Sequence, residues 1–180
     1  MGQPTVRYVS PDGCRTASGS CATLSGVDIS ARTDYAVRAM LALAQAQAEE
    51  GGPLSVEALA QRQDLPRKFL EAIVADLRAA GLVVSTRGAR GGYTLARPAS
   101  AVSLGDVFRA VDGPLAEVRG LRPHETSYGG VAQHLPTVWV AVRASLREVL
   151  DGTSLAAVLT GELPERVRAM ADSPDAWRNR

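Results

Sequence analysis

Cysteine is nearly absent from this chain of 180 residues. Its two cysteines, Cys14 and Cys21, lie near the N-terminus, and it has only two histidines, His124 and His134. Zinc and iron–sulfur sites are built largely from these two residue types, so few ligands are available for a protein-built metal site. Two thiols so close together could form a disulfide or supply half of a metal site. Two free thiols in a loose tail are the simpler interpretation.

Long apolar runs are also missing. No stretch approaches the roughly 20 apolar residues that a membrane-spanning helix needs. The first 26 residues lack the basic start and the continuous apolar core of a secretory signal. We therefore expect a cytoplasmic protein with no membrane partner.

The residue patterns of common enzymes are absent as well. The sequence has no GxxxxGK phosphate loop, no cysteine or histidine beside a plausible base, and no paired carboxylates in an apolar context. We therefore predict no catalytic residues and a protein that is not an enzyme.

The charged residues are unevenly distributed, although the net charge is only +1. Between Pro53 and Arg97 there are seven basic and four acidic residues, whereas between Gly105 and Asp175 there are seven arginines and ten acidic residues. A basic segment joined to an acidic one is typical of a nucleic-acid-binding protein with a separate assembly or sensing part.

The basic segment has the pattern of a winged helix-turn-helix. Helical periodicity covers 31–49, a second helix follows the N-cap Ser55, and a third begins at Pro66 and stops at Gly81. The third helix is expected to turn five apolar residues inward: Phe69, Leu70, Ile73, Val74 and Leu77. Strand-forming runs at 82–86 and 93–97 then flank the loop "RGARGG". This order predicts a mainly α fold, with the third helix in the DNA major groove and a β-hairpin as the wing.

The remaining segments complete a domain scheme. Residues 1–26 lack any period and predict a disordered tail, unless translation begins at Val27 and the tail is never made. The DNA-binding domain is expected at 27–112, where Ser103 and Asp106 form a capping pair before a short helix closed by Gly113. A loop at 113–136, a dimerisation helix region at 137–162 with its long helix at about 137–150, and a flexible C-terminus at 163–180 would follow.

Two places supply the predicted DNA contacts. Arginine forks match phosphate oxygens or a guanine edge, and glycines allow close backbone approach, although a solvated turn is the plainer interpretation of such a loop. Basic residues in the first turn of a helix interact unfavourably with the helix dipole, and a bound phosphate would compensate for this. Glu71 could accept from a cytosine amino group or pair with a neighbouring basic residue. The candidate residues are Arg67, Lys68 and Glu71 on the third helix and Arg87, Gly88, Arg90, Gly91 and Gly92 in the wing.

The outer side of the first helix is a weaker candidate. Arg32, Thr33 and Arg38 are expected there, where they could position a phosphate, although a solvated face is the simpler interpretation of Arg38.

Three stretches resemble the Rrf-two family of bacterial transcription regulators: "DISARTDYAVRAMLALA", "PLSVEALAQRQDLPRKFLEAIVADLRAAGLVVSTRGARGGYTLARP" and "VSLGDVFRAVDGPLA". The resemblance covers about residues 27–160. It implies a homodimer joined through the long C-terminal helix and reading double-stranded DNA at a partly palindromic operator. It also implies that Arg87 with the wing glycines enters the minor groove, while the helix starting at 66 contacts the major groove.

The sequence departs from that family in the loop before the long helix. Many members hold an iron–sulfur cluster there through three cysteines, whereas residues 114–136 of this chain contain none. Asp34 occupies the place of a carboxylate ligand in the nitric-oxide-sensing members, but one carboxylate cannot hold a cluster. His124, Glu125 and His134 could bind a divalent metal, although exposed loop residues are the simpler interpretation. We expect no cofactor and no metal site.

The sequence thus predicts a homodimeric, cluster-free, DNA-binding transcription regulator that represses by occluding a promoter. The alternative is a winged-helix adaptor that binds another protein and does not bind DNA specifically. A small-molecule effector, a protein effector or no effector are all compatible with the sequence.

Overall fold

The computed structural model describes residues 29–49, 51–88 and 90–178. Within these ranges the chain is mostly helical and has one two-stranded antiparallel hairpin. This confirms the predicted fold class. The predicted tail, including Cys14 and Cys21, lies outside the described residues. The elements are α1 (Ala31–Ala48), α2 (Val56–Gln63), α3 (Arg67–Ala79), β1 (Val83–Thr86), β2 (Gly92–Leu95), α4 (Leu104–Val111), α5 (Leu135–Gly152), α6 (Leu155–Thr160) and α7 (Glu165–Ala171).

Local signals define the helix-turn-helix formed by α2 and α3. The Ser55 hydroxyl caps α2 by accepting from the Ala58 amide at 3.1 Å. Asp64 ends α2 in the left-handed region, with φ of 51°, and turns the chain towards α3. Pro66 has an extended backbone, with ψ of 117°, so the helix starts at Arg67, one residue later than predicted.

The core is centred on α1, which packs against α2, α3, α4, α6 and β2. Small alanines and the fully buried Met40 let these elements approach α1 from several sides. From α3, Leu70, Ile73, Val74 and Leu77 are buried against it. The inward placement predicted for Phe69 is wrong: it is 62% exposed, and its ring meets the edge of Tyr35 at a centroid distance of 6.4 Å. Phe69 lies at the margin of the apolar stripe, which four other residues already fill.

The hairpin is tied to the helix-turn-helix through the loop before α2. Val83 pairs with Leu95 and Thr86 with Gly92, so Ala96 and Arg97 fall outside the strand that was predicted to include them. The Tyr93 amide donates to the Leu54 carbonyl at 2.8 Å, and the Leu54 amide donates back to Tyr93 at 3.0 Å. These bonds fix the hairpin next to the N-terminus of α2.

The C-terminal part returns to the same core. After α5, the Leu155 amide donates to the Val102 carbonyl and the Leu104 amide to the Thr153 carbonyl, both at 2.9 Å. Leu155 itself is fully buried among the core residues. The segment around Ser154 therefore closes onto the start of α4.

Several predictions for the C-terminal half can be compared with the structure. The capping box of Ser103 and Asp106 is confirmed, with distances of 3.0 and 3.2 Å. The long helix α5 is two residues longer at each end than predicted, because Leu135 and Pro136 already form its first turn. The segment predicted as a flexible C-terminus contains α7, followed by a 3-10 turn at Pro174–Trp177. The domain boundaries remain predictions.

Arg109 on α4 connects this helix to α5. Its guanidinium donates to Asp151 at 2.6 Å and to Asp106 at 3.0 Å, and Arg147 donates to Asp151 at 3.1 Å. Gly105 allows the approach, since a Cβ there would lie 1.9 Å from Asp151 Oδ1. Burial raises the pKa of Asp151, but the hydrogen bonds from Arg109 and Arg147 outweigh it and hold the pKa below the usual value.

We expect acid to weaken this connection between α4 and α5. Because the pKa of Asp151 is lower in the folded protein, its contribution to the free energy of unfolding is complete above about pH 4 and is lost as the pH falls through the lowered pKa. Urea unfolding of wild type and Asp151→Asn at neutral and at acidic pH would measure it. The stability difference should shrink on acidification, and an equal difference at both pH values would contradict the expectation.

Within the described ranges, no helix has both the length and the apolar content that crossing a bilayer requires.

Candidate nucleic-acid interface

The start of α3 carries a small network of ion pairs. Arg67 donates to Glu57 of α2 at 2.9 Å and to Glu71 at 3.1 Å, and all three side chains are more than half exposed. Of the two roles predicted for Glu71, pairing with a basic neighbour is therefore the one seen in the free protein. Such exposed pairs contribute at most about 1 kcal/mol, so a phosphate or a base could replace them at little cost.

Lys68 and Phe69 are the side chains of this first turn that take no part in the ion-pair network. Both are exposed, and within the described part of the chain no carboxylate lies within ion-pair distance of the Lys68 ammonium. Arg67 has two carboxylate partners, so the unbalanced positive charge at the start of α3 belongs to Lys68. Phe69 adds an apolar ring beside it, which the sequence pattern assigned to the core.

The wing loop exposes Arg87 and Arg90. Neither has an ion-pair partner among the described residues. Arg87 directly follows β1, and Gly88 has a φ of 119°, a conformation that other residues rarely adopt. The Gly91 amide donates to the Gly88 carbonyl at 2.9 Å and closes the turn. The hairpin therefore presents at its tip two cations that have no ion-pair partner among the described residues.

The other two wing glycines shape the backbone. A Cβ at Gly91 would lie 2.4 Å from the Thr86 carbonyl oxygen, and one at Gly92 would lie 2.5 Å from the carbonyl carbon and oxygen of Leu54. Both obstacles are backbone atoms that cannot rotate away. Gly91 thus permits the tight loop, and Gly92 permits the hairpin to dock beside α2.

The residues singled out on α1 have mainly structural contacts. Thr33 was predicted on the outer side of the helix, but it is buried because its hydroxyl donates to Asp112 at 2.6 Å. Arg32 forms an ion pair with Asp76 of α3, and the half-buried Arg38 donates to the Gln63 carbonyl at the end of α2. These bonds hold α1 to the helix-turn-helix.

The motif "AVDGPL" at 110–115 also holds helices together. Asp112 accepts from Thr33 and also from Ser30, the N-cap of α1, while Gly113 has a φ of 85° and ends α4. The motif therefore joins the end of α4 to the start of α1. The side-chain contacts of Asp112 explain why an acidic residue stands there.

The described residues contain no group of three histidine, cysteine, aspartate or glutamate side chains able to hold a metal ion. His124 lies 3.9 Å from Glu125, and His134 contacts Gln133 at 3.2 Å, so the three predicted loop donors do not converge as one set. Asp34 pairs with Arg38 at 3.7 Å. The donors of the loop at 113–136 do not fit an iron–sulfur cluster, which needs thiolates.

A comparison with known protein families gives a match over residues 29–161. The matching family is Rrf2, described as iron-dependent transcriptional regulators. The chain belongs to the Rrf2 family. This agrees with the resemblance and the extent predicted from the sequence, and it is a family of transcriptional regulators, not of enzymes.

Relatives of this Rrf2-family protein carry the same assignment. It is 46% identical over 144 residues to the predicted HTH-type transcriptional regulator Rv1287 of Mycobacterium tuberculosis strain H37Rv, covering 80% of this chain and 88% of that protein. It is 37% identical over 127 residues to the HTH-type transcriptional regulator CymR of Bacillus subtilis, covering 71% and 86%. This Rrf2-family protein is accordingly a DNA-binding transcription regulator.

Solved structures of the Rrf2 family share its fold. The structure of CymR, the global cysteine regulator of B. subtilis, has a TM-score of 0.63 at 34% identity and covers 74% of this chain and 97% of that one. The structure of T. potens IscR has a TM-score of 0.59, also at 34% identity, and covers 86% and 94%. The winged-helix architecture is therefore a property of the family.

Proposed function

We propose that this protein is a sequence-specific, homodimeric repressor that occludes a promoter and works in the cytoplasm without an iron–sulfur cluster. The observation that carries the proposal is that the exposed start of α3 and the wing tip both carry cations with no ion-pair partner in the described part of the chain. Lys68, Arg87 and Arg90 are free to meet phosphate, and affinity for DNA would then fall steeply with rising salt.

In this proposal the two elements have different tasks. The first turn of α3 lies in the major groove, where Arg67 and Lys68 contact phosphate or guanine and Glu71 accepts from a cytosine amino group once DNA has replaced its ion pair. Arg87 and Arg90 follow the backbone or the minor groove. Gly88, Gly91 and Gly92 act by holding the wing backbone close to the duplex.

Phe69 is a further contact residue in this proposal. Its exposed ring follows Lys68 on α3 and lies at the same end of the helix. Apolar side chains in the major groove pack against the methyl group of thymine. Phe69 would therefore favour a thymine in the operator half-site.

The dimer would form through α5. No residue of α5 is buried, yet Val138, Val142 and Val149 recur at helical spacing and Val138 is 51% exposed. At 3.6 residues per turn, these three valines lie within about 40° of one another on one face of the helix. Val138 is the exposed end of this stripe, while Val142 and Val149 are half-buried in the single chain. The stripe suits the same helix of a second copy, and two copies would read two operator half-sites.

The proposal that no cluster is needed rests on chemistry. Iron–sulfur clusters are bound mainly by thiolates, and the loop before α5 contains no cysteine. Regulation of this chain would then depend on another signal.

Replacing Arg87 with alanine should weaken operator binding by about 1–3 kcal/mol, or roughly 5- to 150-fold, and relax specificity at one base position. The side chain is exposed and has no ion-pair partner within the described ranges, so the free energy of unfolding should change by less than about 0.5 kcal/mol. Fluorescence anisotropy with an operator duplex from the protein's own upstream region would measure the change.

Arg168→Ala is the matched control, since it removes an equally exposed charge from α7. Its operator affinity should equal that of wild type. If Arg87→Ala bound the operator as tightly as the control, the assignment of the wing would be wrong. If the protein bound another protein and unlabelled duplex DNA did not compete with that binding, the adaptor alternative would replace the repressor.

A further inference from the structure

A cavity of about 350 Å³ opens between α4, the segment after it and α5. Four arginines from three parts of the chain line it, together with one carboxylate and the buried Leu115. The arginines are Arg109 of α4, Arg122 of the loop, and Arg143 and Arg147 of α5. None of them belongs to the surface proposed to contact DNA.

The charges of this cavity do not balance. Asp151 neutralises part of the charge of Arg109 and Arg147, with which it forms ion pairs at 2.6 and 3.1 Å. The guanidinium groups of Arg122 and Arg143 form no ion pair in the described part of the chain, although the main-chain amide of Arg122 donates to the Glu125 carboxylate at 2.9 Å. Four guanidinium groups around one concave space repel each other, and an anion placed among them would remove that repulsion.

The cavity also has the size and the walls of a small-molecule site. Its volume lies at the lower end of the range of roughly 300–1,000 Å³ found for ligand pockets. Leu115 and Pro114 supply apolar wall, while the arginines supply planar forks for carboxylate or phosphate oxygens.

We propose that this cavity binds a small organic anion carrying at least two carboxylate or phosphate groups. Arg122 and Arg143 would hold one anionic group. Arg109 and Arg147 would bind the second, in competition with Asp151. The short apolar part of the ligand would rest on Leu115.

Occupancy would change the connection between α4 and α5. Asp151 bridges Arg109 and Arg147, so an anion that takes over these guanidinium groups frees the end of α5 from α4. Because α4 packs against α3 and α1, its displacement would reach the helix that reads DNA. This regulatory step rests on the proposed function, whereas binding of the anion does not.

Isothermal titration calorimetry of the full chain, without DNA, tests the site. The probes are citrate and phosphoenolpyruvate at constant ionic strength, with glycerol as the uncharged control. At least one anionic probe should bind once per chain. The double variant Arg122→Gln/Arg143→Gln should bind it at least about tenfold more weakly, since each lost charge-assisted contact is worth more than about 1 kcal/mol.

Two variants localise the binding. Arg87→Ala and Arg168→Gln should bind the probe like wild type, because both residues lie outside the cavity. Circular dichroism and the unfolding temperature would verify that the double variant is folded. The proposal is overturned if neither probe binds, if the folded double variant binds like wild type, or if Arg87→Ala loses binding. It is also overturned if the double variant changes only the oligomeric state and not the binding of the probe. In that case the arginines of the cavity would bind an acidic group of a second copy.

A separate titration with operator DNA tests regulation. The probe that binds should change operator affinity of wild type at least threefold and leave that of the double variant unchanged. If the calorimetric result holds and operator affinity does not respond, the anion site stands and its coupling to DNA is wrong. If the protein binds no operator at all, the proposed function fails while the calorimetric result is unaffected.

Discussion

Gly92→Ala should lower both the stability of the protein and its affinity for the operator. The new Cβ would lie 2.5 Å from the carbonyl carbon and oxygen of Leu54 and 2.9 Å from the Ser55 amide nitrogen. Because these are backbone atoms, the hairpin must move away and strain or lose its two hydrogen bonds to Leu54. We expect a loss of about 1–3 kcal/mol in the free energy of unfolding, measured with urea.

The effect of Gly92→Ala on DNA binding should be larger than that of Arg87→Ala, because the whole wing is displaced. Gly52→Ala is the matched control, since a Cβ there meets nothing within 4 Å. Its stability and operator affinity should stay within about 0.5 kcal/mol of wild type. If the two glycine variants behaved alike, the contact with Leu54 would not be what positions the wing.

Val138→Glu should convert the proposed dimer into a monomer. Val138 is 51% exposed in the single chain, so glutamate is tolerated there, whereas a charge buried without a partner in a helix–helix interface is costly. Losing the second half-site contact should weaken operator binding at least about 100-fold. Size-exclusion chromatography with light scattering, followed by anisotropy with the operator duplex, would measure both effects.

Ala144→Glu provides the control for the dimer. It adds the same charge at an exposed position of α5, well away from the stripe that contains Val138, and should leave the protein dimeric. The unfolding temperature of the winged-helix part should be similar in both variants. A Val138→Glu protein that stays dimeric would contradict the role given to α5.

The sequence predicted those elements whose signals are local. Ser55 and the pair of Ser103 and Asp106 indicated helix starts that the structure confirms, because a cap depends on residues only three positions apart. Gly81 marked the end of α3, where it has a φ of 70°. The hairpin after it followed from two short apolar runs around a glycine-rich loop.

The errors concern contacts between distant parts of the chain. Phe69 has the spacing of a core residue, and only the tertiary packing of α3 leaves it exposed. Thr33 is buried because Asp112, far away in sequence, accepts its hydroxyl. The helix α7 was missed because its polar composition gives no strong apolar period. The start of α5 was predicted two residues late because the segment up to Pro136 was assigned to a loop.

In the candidate site, too, local features were predicted and contacts between distant residues were not. Residue types and their order were enough to indicate a wing and a recognition helix. They offered a basic neighbour as one partner of Glu71, which the structure shows to be Arg67. They did not show that Glu57 also holds Arg67, nor that Gly91 and Gly92 are required by neighbouring carbonyl groups. Helical spacing brings Arg143 and Arg147 to one face of α5, but no pattern in the sequence brings Arg109 and Arg122 to them.

The position of Leu155 limits how segments of this protein could be exchanged with those of its relatives. The residue completes the core of the DNA-binding part from beyond α5, and removing a fully buried leucine typically costs about 2–5 kcal/mol. The winged helix and the helix that would join two copies are therefore not interchangeable modules, although one precedes the other along the chain. A chimera that borrows α5 from a relative would have to inherit the turn at Ser154 and α6 with it, so the downstream junction of such a graft has to lie beyond Thr160.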